Sequence, residues 1–136
     1  MIVAERIFAL RALFPFSLLK PEELLIIASA VSERTLPAGR ILARRGGTLS
    51  HLFIRVEGDL VNDQGATLHP IVGTTVLLTG CEVPYDVIAG PEGYHGLVLP
   101  RGKFLTVVNE CPSLLVGFFH MPIVGIDAAR TTAGAP

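Results

Sequence analysis

The sequence predicts one mainly β domain with helices at both ends, on three observations. Residues 36–58, LPAGRILARRGGTLSHLFIRVEG, read as strand, turn, strand, with a glycine wherever the backbone must turn sharply or pass close to a neighbour. Apolar residues recur at helical spacing before this stretch, at Ile7, Leu10 and Phe14, and after it, at Phe104, Val107, Val108 and Cys111. Half of the 136 residues are apolar and 17% are charged, the balance of a compact fold with more than one apolar face to cover.

The elements follow in order. Residues 2–14 place Ile7, Leu10 and Phe14 on one stripe, with Glu5 and Arg6 turned away, which predicts a first helix; Phe14-Pro15-Phe16-Ser17 ends it. Pro21 opens a second helix, because its fixed φ suits the first helical position, and Glu22 and Glu23 put carboxylates at the positive end of the dipole. Its expected buried face is Leu24, Ile27, Ala28 and Val31. Ile41-Leu42-Ala43 then forms a short strand after the Pro37-Ala38-Gly39 turn, and Arg40 and Arg44 are expected on one strand face with Arg45 on the other. Gly46-Gly47 breaks the chain, and from residue 51 Leu52, Ile54 and Val56 alternate with Phe53 and Arg55.

That strand runs on to Val61, and Asn62-Asp63-Gln64-Gly65 reads as a turn, since these residues tolerate left-handed conformations. Residues 67–71 return as a strand. Gly73 to Gly80 is a helix-sized piece between two glycines, and residues 85–89 and 94–99 are two further strands separated by Gly90-Pro91-Glu92-Gly93. Pro100 and Arg101 lead into the helix carrying Phe104, Val107, Val108 and Cys111, and Pro112 starts another. Residues 1–125 are expected to form a single domain and 126–136 a disordered tail of small residues.

A net charge of −1 provides no general field for nucleic acid or an anionic membrane. Cys81 and Cys111 form no CxxC pair and are expected to be reduced and buried. Glu5, Arg6 and Arg11 interrupt the apolar N-terminal stretch, and no apolar run reaches the roughly 18 residues of a membrane span, so the chain is expected to be soluble and cytoplasmic.

The spacing of Gly39, Gly46 and Gly58, with Leu36-Pro37-Ala38 before the first and Leu52-Phe53-Ile54 before the last, resembles the opening of the cyclic-nucleotide-binding domain. The order of the N-terminal helices and the run LVLPRGKFLTVVNECPSLL resemble that family's entry into its β-roll and exit from it, so that the likeness covers about residues 7–115. It implies an antiparallel double-stranded β-helix or jelly roll with flanking helices, as in catabolite-activator-type effector domains. It also implies a non-catalytic regulatory or sensor role in signal transduction, without a cofactor.

The same resemblance places a phosphate-binding cassette at residues 72–85. A site of this type needs backbone N–H groups at the start of a short helix, an arginine for the phosphate and a glutamate for the ribose hydroxyl. The family writes these as Gly-Glu, then Leu-Leu, then Arg-x-Ala. Gly73 and Leu77-Leu78 match, but Thr74 stands in place of the glutamate, Val83 in place of the arginine and Tyr85 in place of the alanine. A phosphate here would lack charge-assisted hydrogen bonds worth about 1.5–3 kcal/mol each.

The diverged cassette, Gly73, Thr74, Thr75, Val83, Pro84 and Tyr85, is the candidate ligand site. Thr74 and Thr75 at a helix start could hold a small anion or a neutral polar ligand, and the plainer reading makes Thr74 an N-cap. Val83, Pro84 and Tyr85 form either an apolar pocket wall or a plug that packs the roll shut. The leading function is therefore regulation through a partner protein or a ligand other than cAMP or cGMP. Cyclic-nucleotide binding through altered contacts is the first alternative, and a cupin-like small enzyme or metal protein the second.

Other chemistry finds no pattern. His51, His69, His95 and His120 stand singly, without HxH or HExxH spacing, so no metal is expected. No G-x-S-x-G elbow or P-loop occurs. The basic cluster Arg40, Arg44 and Arg45 is too small to argue for nucleic acid. The nearly uncharged stretch at residues 114–126, LLVGFFHMPIVGI, must either fold back on the roll or meet another chain, a partner protein or a second copy.

Overall fold

The computed structural model describes residues 1–119. Helix α1 is Val3–Arg11, a 3₁₀ turn follows at Phe16–Leu18, and α2 is Pro21–Ala30. The roll comprises β1 (Ser32–Leu36), β2 (Ile41–Ala43), β3 (His51–Val61), β4 (Ile71–Val72), α3 (Thr74–Thr79) and β5 (Val87–Pro100). Helix α4, Arg101–Glu110, continues directly from β5, and residues 112–119 are helical after it. The tail at 126–136 and most of the apolar stretch at 114–126 lie outside the described residues.

The two N-terminal helices are held by groups that the sequence places at their ends. In α1, Glu5 accepts from the Ile2 N–H at 2.9 Å; in α2, Pro21 occupies the first position and Glu23 accepts from the Lys20 N–H at 3.0 Å. Arg6 then reaches from α1 to the end of α2 and donates to the Ala28 and Val31 carbonyls at 3.2 and 3.1 Å, satisfying acceptors that the helix itself leaves open. Leu24, Ile27, Ala28 and Val31 are all buried, as their spacing predicts. Phe14 is not: α1 stops at Arg11 and Phe14 is 46% exposed. The residue before a proline is sterically driven out of the α region, so the stripe ends before it reaches Phe14.

All strand pairs are antiparallel, in the order β1-β5-β3-β4, with β2 pairing the start of β5. Because successive side chains of a strand point to opposite faces, β3 and β5 feed two cores. Leu52 and Ile54 of β3, with Leu97 and Leu99 of β5, face a core completed by α1, α2, α4 and Phe118. Phe53 and Leu60, with Val87, Ala89, Tyr94 and Val98, face the interior of the roll.

The β5 region differs from the sequence reading. The expected strands at 85–89 and 94–99 are one strand of 14 residues. Gly58 pairs with Tyr94 and Leu60 with Ala89, so residues 90–93 bulge opposite Asp59 without breaking the strand. Pro91 sits in this unpaired stretch, where no N–H is required. Gly58 (φ +73°) and Gly93 (φ +80°) supply the left-handed conformations, and a Cβ at Gly58 would collide with the Gly93 carbonyl. The expected return strand at 67–71 is reduced to a Val61–Thr67 bridge and the two residues of β4.

Two smaller expectations are also corrected. β2 spans only Ile41–Ala43, so Arg40 precedes it and Arg44 and Arg45 lie in the following turn. Cys111 is buried, whereas Cys81 is exposed in the loop after α3.

The turn after β3 rests on Asn62, which is 4% exposed and accepts from the Gln64 and Ala66 N–H groups at 3.0 and 2.9 Å. Asn62→Ala leaves both donors without their acceptor, and a loss of about 1–3 kcal/mol is expected, read as a fall of several degrees in Tm. Asn62→Asp retains the acceptor oxygens and should stay closer to the parent; equal losses in the two variants would contradict this role.

Candidate functional site

The cassette is placed between the two cores by the short helix α3. Leu77 is fully buried in the helix-side core and Leu78 packs against it, while Val76 belongs to the roll interior. The chain enters α3 through Gly73 at φ +108°, where a Cβ would lie 3.2 Å from the His51 carbonyl oxygen, and leaves through Gly80 at φ +75°. Both glycines are therefore required by backbone geometry.

Gly73 also takes the position expected of Thr74. Gly73 is the N-cap and Thr74 the first helical residue, with no capping hydrogen bond from its side chain. An N-cap side chain acts from an extended backbone, which a residue already inside the helix does not have. Thr74 is 4% exposed and its Oγ1 has no hydrogen-bond partner. Thr75 is half-buried, and its carbonyl accepts from Thr79 Oγ1 at 2.7 Å.

The other candidates separate. Val83 is 2% exposed in the roll interior, held in place by backbone hydrogen bonds to Gly46 and Gly47 at 2.8 and 2.9 Å. Tyr85 packs against the same cluster, and burial pushes its hydroxyl pKa up. Pro84, between them, is exposed. The structure thus brings Val83 and Tyr85 together with Val76 and leaves Pro84 outside.

Charge is arranged unfavourably for a phosphate. Arg101 does reach α3, but its Nε donates to the Leu77 carbonyl at 3.1 Å, serving the end of the helix where acceptors are left open. Beyond Tyr85, Asp86 accepts from the Arg45 N–H at 2.7 Å and lies 3.8 Å from the Arg44 guanidinium. A separate cleft of about 450 Å³, lined by none of the cassette residues, opens where β1, β3 and β5 meet, with Glu57, Glu92 and His95 at its walls. Among the described residues, no group of three or more His, Cys, Asp or Glu is placed to hold a metal ion.

Sequence reasoning missed Tyr94. Its ring lies in the roll interior, 3% exposed, and its hydroxyl has no partner. Burial raises that hydroxyl pKa far above its ordinary value. The available signal was Gly96, two residues on and on the same strand face: a Cβ there would lie 2.5 Å from the Tyr94 hydroxyl oxygen, so the glycine makes room for the ring. The roll interior therefore holds apolar side chains and the hydroxyl of Tyr94, and Thr74 at the start of α3 is a second buried hydroxyl without a partner.

Val83 as a packed side chain has a measurable consequence. Val83→Ala is expected to cost about 1–3 kcal/mol in denaturant unfolding with an unchanged m value. A change below about 0.5 kcal/mol, the usual surface effect, would show that Val83 lines an open pocket.

No protein-family model and no curated protein matches the sequence. Solved structures do match. A candidate cyclic nucleotide-binding protein from Geobacter metallireducens superposes with TM-score 0.72 at 19% identity, over 95% of this chain and 98% of that one. The regulatory subunit of a cAMP-independent protein kinase A from Trypanosoma brucei, a triple mutant bound to cAMP in its A site, superposes with TM-score 0.71 at 23% identity, over 88% of this chain and 46% of that one. The corresponding subunit from Trypanosoma cruzi, bound to guanosine, superposes with TM-score 0.66 at 20% identity, over 78% and 40%. The chain spans less than half the length of these two kinase subunits. The roll, its flanking helices and these superpositions together show that this chain has the fold of the cyclic-nucleotide-binding domain.

Proposed function

We propose that the chain is a non-catalytic regulatory module of the cyclic-nucleotide-binding type that does not recognise cAMP or cGMP through its cassette and responds to an uncharged ligand. The observation that carries this reading is Val83. The residue aligned with the family's phosphate-binding arginine is an aliphatic side chain buried in the roll interior, with Tyr85 packed beside it. An anion placed there would be desolvated without a paired cation, which costs several kcal/mol. The Nε of Arg101 donates to the Leu77 carbonyl.

An uncharged molecule meets no such penalty. The support is that the buried hydroxyls of Thr74 and Tyr94 have no hydrogen-bond partner, and a ligand that carries rings and polar edges but no phosphate could satisfy them on displacing packed apolar side chains. The guanosine-bound subunit from Trypanosoma cruzi supports this class, since guanosine is a nucleoside. The module would pass its state to a partner protein, the arrangement implied by regulatory subunits of the same fold.

The test is a thermal-shift screen of the purified chain with cAMP, cGMP, the matching nucleosides, free bases and apolar metabolites. Ligand at about 100 times its Kd adds about 2.7 kcal/mol, several degrees at this size. The expected outcome is no shift with cAMP or cGMP at millimolar concentration and a shift with a member of the uncharged set. A saturable rise with either cyclic nucleotide overturns the proposal, and silence with every uncharged compound leaves regulation through direct protein contact as the replacement.

A further inference from the structure

The strand that leads into the cassette is short and sits at the edge of the sheet. β4 has two residues, one for each core: Ile71 faces the helix side and Val72 the roll interior. It pairs only with β3, through Phe53–Val72 and Ile54–Ile71, with the Arg55 N–H donating to the Pro70 carbonyl at 2.9 Å. The Ile71 N–H is taken by a side chain of its own segment, donating to His69 Nδ1 at 3.0 Å. For Nδ1 to accept, the ring must be neutral with its proton on Nε2. A proton added at Nδ1 removes the acceptor and sets two N–H groups against each other.

We propose that His69 is a proton-operated latch on the cassette: the neutral ring holds the Ile71 amide and fixes the turn at residues 69–71 that sets β4 against β3, and the protonated ring releases that turn and loosens the path through Gly73 into α3. The ring is half-buried, and burial first, with the Arg55 guanidinium facing it from β3, holds its pKa below the ordinary 6.5 against an opposing contribution from the Ile71 backbone; an N–H donated to Nδ1 by itself favours the neutral ring. Arg55 is itself paired with Asp59 at 2.8 Å. When β4 opens, the ring regains its ordinary basicity, so opening takes up a proton. The latch is therefore at full strength above pH 6.5 and weakens as the pH falls below it. His51, whose carbonyl oxygen borders Gly73, also has a pKa lowered by burial and by Arg34, and so must be separated from His69 in any test.

Amide hydrogen exchange of the whole chain, followed by NMR from about pH 7.5 to 5 and corrected for intrinsic rates, reads the latch directly, because surface carboxylates stay ionised over this range. Opening at residues 71–79 is expected to rise with acid, by at most about tenfold per pH unit, while amides in the centre of β5 keep their protection. In His69→Asn the amide oxygen can take the Ile71 N–H without titrating, so the pH dependence of 71–79 should disappear, while any contribution from His51 persists. A flat response in the parent chain, or the same response in H69N, overturns the proposal. If H69N does not fold, the ring nitrogen shifts of the parent decide: protonation of His69 with Ile71 still protected overturns the latch, and joint loss supports it.

Discussion

The structure depends on one constraint, the antiparallel register of β3 against β5. Residues 52–54 of β3 and 97–99 of β5 are apolar on both faces, so the ladder there separates two cores: Leu52, Ile54, Leu97 and Leu99 on the helix side, Phe53 and Val98 inside the roll. A slip by one residue would exchange the two sets and spoil both cores at once. The bulge at residues 90–93 belongs to the same constraint. It lets β5 continue as one strand from the pairing with β2 to the pairing with β1, and the two left-handed glycines allow the backbones to approach where a side chain would block them.

The cassette inherits its geometry from this arrangement. α3 lies on the boundary, with Leu77 in one core and Val76 in the other, and its entry and exit are set by glycines. Val83 is buried in the roll interior, and Arg101 donates through Nε to the Leu77 carbonyl. A fold can keep the scaffold of a site while the groups that determined its ligand change, because the scaffold is maintained by packing and the ligand preference by a few polar side chains.

Much of this was legible in the sequence. The glycines at 39, 46, 58, 73 and 80 all have positive φ, and no L-residue adopts that geometry without strain, so their spacing marks the fold directly. The faces of α2 and α4 were legible for the same local reason, since Leu24, Ile27, Phe104 and Val107 recur at the helical period and are buried together. Gly90-Pro91-Glu92-Gly93 misled, because a composition that favours a turn equally suits a bulge, and only the pairing of Gly58 with Tyr94 and of Leu60 with Ala89 on either side distinguishes them.

The sequence by itself determined the class of fold and the glycine-bounded helical piece at residues 73–80, because these follow from local backbone preferences and residue identity. Tertiary structure decided the rest. That Val83 and Tyr85 pack into the roll, that Gly73 displaces Thr74 from the cap, that Arg101 donates through Nε to the Leu77 carbonyl and that His69 holds the Ile71 amide are statements about neighbours. They depend on how distant strands are brought into register, which no local pattern along the chain specifies.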